Sequence, residues 1–120
     1  MRILITGGAG CLGSNLIEHW LPIGHQIGVI DNFATGKREV VPEVRGLTVT
    51  EGDIADEKLV NQTFENFGPD VVVHAAAAYK DPDNWAEDAR TNVIGSANVA
   101  KASKKCGAKR LINFQTALCY

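Results

Sequence analysis

The stretch TGGAGCLGS, Thr6 to Ser14, carries four glycines in nine residues. It follows MRILI (1–5), an apolar run of strand type, and leads into SNLIEHWLP (14–22), where apolar residues recur at helical spacing. Glycine permits tight turns and lets another group come close to the backbone. The N-terminus of a helix presents free N–H groups and a partial positive charge, which suit a phosphate. Gly7, Gly10 and Gly13 fit G-x-x-G-x-x-G, while Gly8, Gly10 and Gly13 fit G-x-G-x-x-G. In either register the first glycine makes the turn, Gly10 leaves room for a pyrophosphate, and Gly13 lets the helix pack against the sheet. A Walker-type phosphate loop does not fit, because no Lys-Ser or Lys-Thr follows Gly13. The competing reading is a tight strand-to-helix turn without a ligand.

The next strand, QIGVID (26–31), ends on Asp31, 18 residues beyond Gly13 (31 minus 13). A carboxylate there accepts hydrogen bonds from ribose hydroxyls and repels a 2′-phosphate, which favours NAD over NADP. Lys37 and Arg38 follow closely, as a potential phosphate partner or as solvated loop charge. For Asp31 itself the alternative is a strand-end turn residue.

Further along, strands and helices alternate. The pattern predicts strand 1 at Ile3–Thr6, a helix at 11–22 and strand 2 at Gln26–Asp31. A polar loop with one helical turn, strand 3 at Leu47–Thr50 and a helix at 56–67 follow. Strand 4 is predicted at Asp70–His74, a helix at 84–106 with the stripe Ala86, Ala89, Val93, Ala97 and Ala100, and strand 5 at Arg110–Phe114. Such alternation specifies an α/β chain: a three-layer Rossmann fold with a five-stranded parallel sheet in the order 3-2-1-4-5. At 120 residues the chain is read as one dinucleotide-binding domain, 1–120.

Composition excludes several classes. Apolar residues make up 45% and charged residues 22%, and the formal net charge is −2. No basic-aromatic interleaving points to nucleic acid, and no apolar run is long enough to span a membrane. Cys11, Cys106 and Cys119 are too few and too scattered for a disulfide framework or a metal site, so a reduced, cytoplasmic setting is expected.

Taken in order, TGGAGCLGSNL, VIDNFATGKRE, EGDIAD, VVVHAAAA, TNVIGSANVAKAS and LINFQTALCY resemble the N-terminal half of the extended short-chain dehydrogenase/reductases. The resemblance is to the NAD-dependent nucleotide-sugar epimerases and dehydratases, of the UDP-sugar 4-epimerase kind, and it covers the whole chain. It implies NAD as cofactor, with Gly7, Gly10, Cys11, Leu12 and Gly13 at the cofactor's phosphates. By the same likeness Asp31 and Asn32 hold the adenosine ribose, Asp53 reaches the adenine amino group and Ile54 packs on the ring. Ala75, Ala76 and Ala77 line the ribose and phosphate path, Asn92 lies beneath the nicotinamide side, and Thr116 is the catalytic hydroxyl on the sugar. Read from the residues alone, alternatives stay open. Asp53 caps the following helix, though Asp56 is better placed for that; the alanines are small because a helix crosses there; Asn92 bonds a neighbouring backbone group; Thr116 is a loop hydroxyl. His74 reads as the end of a buried strand, and Tyr79, Lys80 and Trp85 as loop surface.

The family's chemistry rests on a Tyr-x-x-x-Lys pair, in which the lysine tunes the tyrosine to act as general base while a hydride passes to the cofactor. No such pair is present: Tyr79 is followed four residues later by Asp83, and Tyr120 is the last residue. The expectation is a truncated cofactor half, engineered, inferred-ancestral or proteolytic, which binds NAD without efficient catalysis alone. It would meet a nucleotide sugar only when completed by a C-terminal half. The alternatives are a fragment that becomes an active epimerase or dehydratase once completed, and a folded scaffold that no longer binds NAD. An unprotected strand 5 edge and the helix at 84–106, which matches the family's dimer helix, predict self-association.

Overall fold

The computed structural model describes residues 1–115, so the Thr116 assignment falls outside the described residues. Five parallel strands stand in the order β3-β2-β1-β4-β5. They are β1 (Arg2–Thr6), β2 (Gln26–Asp31), β3 (Leu47–Glu51), β4 (Val71–His74) and β5 (Arg110–Asn113). Every pairing is parallel, with Ile5 opposite Val29 on one side and Val73 on the other.

Alternation along β1 divides the core. Leu4 joins Ile30, Val72, Phe64 and Val99 on one face, while Ile3 and Ile5 join Ile27, Val29, Val73 and Ile17 on the other. The first face is covered by α2 (Glu57–Phe67) and α4 (Ser96–Lys105), the second by α1 (Cys11–Trp20). Each such aliphatic side chain removed from water contributes about 1.5–3 kcal/mol, so the central strands are the most stabilised part of the sheet.

Local chemistry sets the ends of the elements. Asp56 caps α2 by accepting the Leu59 N–H at 3.1 Å, and Gly68 ends it in the left-handed region at φ 61°. The first helix stops at Trp20, two residues short of the expected 22, because the chain turns through residues 21–24. The strand ends shift by one residue from expectation at β1, β3, β4 and β5.

The expected helix at 84–106 is a rod of three parts. A short α3 (Trp85–Asp88) runs into a π-helical segment, Ala89–Gly95, which continues into α4. Its inner face also differs from expectation. Ala86, Ala89, Val93, Ala97 and Ala100 face outward, and the buried positions are Thr91, Gly95, Asn98, Val99, Ala102 and Ser103. Those positions also recur at helical spacing, but small and hydrogen-bonding residues fill most of them. A reading that weighs hydrophobicity alone therefore selects the outer stripe.

Candidate functional site

The strand order reverses between β1 and β4, and the carboxyl ends of β1, β2 and β4 open there onto a hollow of about 440 Å³. That is where open parallel sheets bind ligands, and the volume lies within the range of small-molecule sites.

The glycine turn forms its floor. Gly7 has φ +73°, and a Cβ there would lie 2.8 Å from the Ala76 nitrogen. The positive φ places the turn at Gly7, in the 7-10-13 register. A Cβ on Gly13 would lie 2.4 Å from the Gly7 oxygen, so α1 begins hard against the turn backbone and not against a strand. Gly10 is the N-cap of α1 and borders the hollow, with no side-chain cap on the first N–H groups of the helix.

Asp31 closes the end of β2. Its Oδ2 accepts the Ala9 N–H and its Oδ1 accepts the Phe33 N–H, each at 2.8 Å. The carboxylate is 9% exposed and borders the hollow. Each oxygen retains a lone pair, so two further donors fit. Arg38 is turned to its own loop, over the Phe33 ring at 5.3 Å and 3.5 Å from Glu43.

The opposite wall comes from the β3–α2 loop. Ile54 is buried, and its carbonyl accepts from the buried Asn98 Nδ2 at 3.0 Å. Asp53 Oδ1 accepts the Ala55 N–H at 2.7 Å, while Oδ2 accepts from Arg90. Arg90 also donates to Glu87 at 3.1 Å, and this holds the Glu87 carboxyl below the usual carboxylate range.

Beyond β4, Ala75, Ala76 and Ala77 line the hollow beside Gly7. Their path is fixed from below by a buried chain of side chains. Thr6 Oγ1 accepts the Ala76 N–H at 3.3 Å and lies 2.6 Å from His74 Nδ1, whose Nε2 lies 2.8 Å from Ser96 Oγ. Burial pushes the His74 pKa down, so the ring is neutral and structural.

The hollow is thus lined by Gly7, Gly10, Cys11, Leu12, Gly13, Asp31, Asn32, Asp53, Ile54, Ala75, Ala76 and Ala77. Asn92 is not among its lining. It is exposed, and it bonds both backbone groups of Ala78: Oδ1 accepts the Ala78 N–H at 2.9 Å and Nδ2 donates to its carbonyl at 2.8 Å. Thr35, Tyr79, Lys80, Asn84 and Glu87 border the hollow as well. In the sequence Tyr79 and Lys80 read as loop surface, and Thr35, Asn84 and Glu87 carry no ligand signal. No periodicity marks them, and Arg90 meets a partner 37 residues away.

The arrangement offers a glycine turn at a helix N-terminus, a fixed carboxylate at the carboxyl end of β2, and the acids Asp53 and Glu87 on the far side. The model of the NAD dependent epimerase/dehydratase family matches residues 3–120. The UDP-glucose 4-epimerases of Klebsiella pneumoniae and Corynebacterium glutamicum are 28% and 35% identical to the chain. Each alignment covers 100% of it, with 92% of the Klebsiella sequence but 36% of the Corynebacterium one. Among solved structures, the Bordetella bronchiseptica enzyme WbmG in complex with NAD is 73% identical with a TM-score of 0.99, over 100% of this chain and 39% of that one. The same enzyme in complex with NAD and UDP superposes with a TM-score of 0.97, over 98% of this chain and 38% of that one.

Proposed function

The chain belongs to the NAD dependent epimerase/dehydratase family, and from that premise we propose that its hollow holds NAD. It corresponds to the N-terminal, NAD-binding portion of the UDP-sugar epimerases it resembles, spanning 36% of the Corynebacterium enzyme and 39% of WbmG. The adenosine ribose sits on Asp31 and Asn32, the adenine between Ile54 and Asp53, and the pyrophosphate over Gly7, Gly10, Cys11, Leu12 and Gly13. Ala75–Ala77 give the path toward the nicotinamide, and Asn92 acts by holding the Ala78 backbone.

One observation carries this reading. The Asp31 carboxylate is fixed by the Ala9 and Phe33 N–H groups with its remaining lone pairs free, beside an N-cap with no side-chain partner. A ribose diol next to a pyrophosphate supplies the matching donors and charge.

When bound, the cofactor supplies hydride transfer at a sugar carbon. The chain contains no Tyr-x-x-x-Lys pair to serve as base. Efficient turnover of a nucleotide sugar, with Thr116 hydrogen-bonded to the reacting oxygen, therefore belongs to a longer protein carrying such a pair. Without it the rate falls by orders of magnitude. A lysine of such a pair reaching the nicotinamide ribose would tighten NAD by about one to two decades.

Two finer assignments go with this reading. The chain works in the cytoplasm, a setting that keeps free thiols such as Cys11 and Cys106 reduced. It self-associates through the outward face of the 85–105 rod, where Trp85, Val93 and Ile94 are exposed, or through β5, whose four residues are all exposed.

NMR titration of the chain with NAD tests the binding site. Amide shifts confined to the glycine turn, residues 31–35, residues 53–54 and residues 75–77 support it. Shifts spread over the α2–α4 surface, or none at millimolar NAD, refute it.

A further inference from the structure

Arg90 lies in the π-helical segment, flanked by Asp88 and Thr91 of the hollow's lining without itself belonging to it. Its Nη2 donates to Asp53 Oδ2, while Nε and Nη2 donate to the two Glu87 oxygens at 3.1 and 3.3 Å. Glu87 Oε1 also accepts from Thr91 Oγ1 at 2.8 Å, which ties the acid to its own helix. With Ala55 N–H on Oδ1, both oxygens of Asp53 are held, one from its own loop and one from the π-helical segment. The Gly95 backbone also lies close to the Ile54 side chain: a Cβ on Gly95 would lie 2.5 Å from Ile54 Cγ1.

A carboxylate on a loop ordinarily rotates about its last bond and can turn away from an unwelcome neighbour. Asp53 cannot turn without breaking its bond to Arg90. Asp53 borders the hollow, and Oδ2 keeps one lone pair beyond its bond to Arg90. An acceptor placed opposite Oδ2 would meet a fixed negative oxygen.

We propose that Arg90 is a positioning residue that makes Asp53 a reader of the purine: a base with a 6-amino donor is accepted, and one with a 6-oxo acceptor is rejected. This rests on the reading that NAD occupies the hollow with its adenine at Asp53. Arg90 itself is 46% exposed, so its replacement does not open the core.

The test compares dissociation constants of NAD and nicotinamide hypoxanthine dinucleotide for the unaltered chain, Arg90→Met and Arg90→Lys. The unaltered chain prefers NAD. Arg90→Met weakens NAD about two- to fivefold, the scale of a partly exposed ion pair, and leaves the hypoxanthine dinucleotide unchanged or tighter. Arg90→Lys, which keeps the charge, restores most of the preference. Equal weakening of both dinucleotides in Arg90→Met, or no change in either, overturns the proposal while leaving NAD binding intact. Failure of the unaltered chain to bind either dinucleotide overturns the NAD reading, and this inference with it.

Discussion

The Asp31 carboxylate accepts the Ala9 N–H at 2.8 Å, joining the end of β2 to the glycine turn after β1 across 22 residues. The bond makes one object of two features that lie apart in the chain, the turn that would hold a pyrophosphate and the acid that would hold a ribose. Asp31→Ala removes it, along with the acceptor for Phe33 N–H. We expect NAD affinity to fall by about one to two decades, the cost of a lost charged hydrogen bond. Isothermal titration reads it, and an unchanged constant would separate Asp31 from the cofactor.

Gly13 is fixed by contact, not by sequence pattern alone. A Cβ would lie 2.4 Å from the Gly7 oxygen and 2.5 Å from the Gly8 Cα, both backbone atoms with nowhere to move. Gly13→Ala should lower stability by about 1–3 kcal/mol and displace the turn. Gly24→Ala is the control for loss of a loop glycine, since nothing lies within 4 Å of its Cβ position although its φ is +93°. A thermal melt in which Gly13→Ala is no less stable than the parent would contradict the packing described for α1.

His74 gives the fold a dependence on pH. Burial lowers its pKa below the ordinary 6.5, so the unfolded chain binds the proton more readily than the folded one. The stability this neutral ring contributes is full above about 6.5 and is lost as pH falls from there toward the depressed folded value. Thr6 and Ser96 hydroxyls can turn to accept from a charged ring, so the cost is that of burying charge, not of losing bonds. Urea melts at pH 7.5 and 5.5 should show a drop for the parent that is absent in His74→Gln. Equal drops in both would place the titrating group elsewhere.

The exposed face of the 85–105 rod carries Val93 at 67% and Ile94 at 51% exposure. If this face mediates self-association, Val93→Glu with Ile94→Lys should shift the chain toward monomer in sedimentation or light scattering, with an unchanged melting temperature. A parent that stays monomeric at all concentrations would rule the contact out.

The sheet order was legible in the sequence because strand runs and helical periods alternate cleanly, and right-handed crossovers leave few topologies. The wall from Gly7 to Ala77 was legible because a glycine turn, a strand-end acid and small residues after β4 each have a local reason to be there. Less legible was the rod at 85–105. Its buried face is Thr91, Gly95, Asn98 and Ser103 beside Val99 and Ala102, chosen for close approach and hydrogen bonding, so hydrophobicity pointed to the opposite side. The Arg90–Asp53 pair was invisible for another reason: an arginine on a helix and an aspartate in a loop give no sign of meeting until the π-helical segment brings them together.

The most direct measurement is a calorimetric titration of this chain with NAD, run beside NADP under the same conditions. Saturable binding of NAD, with NADP weaker by at least about tenfold because its 2′-phosphate meets the fixed Asp31 carboxylate, is the result expected. Equal binding of the two, or none by either at millimolar concentration, would contradict the assignment of the hollow as an NAD site.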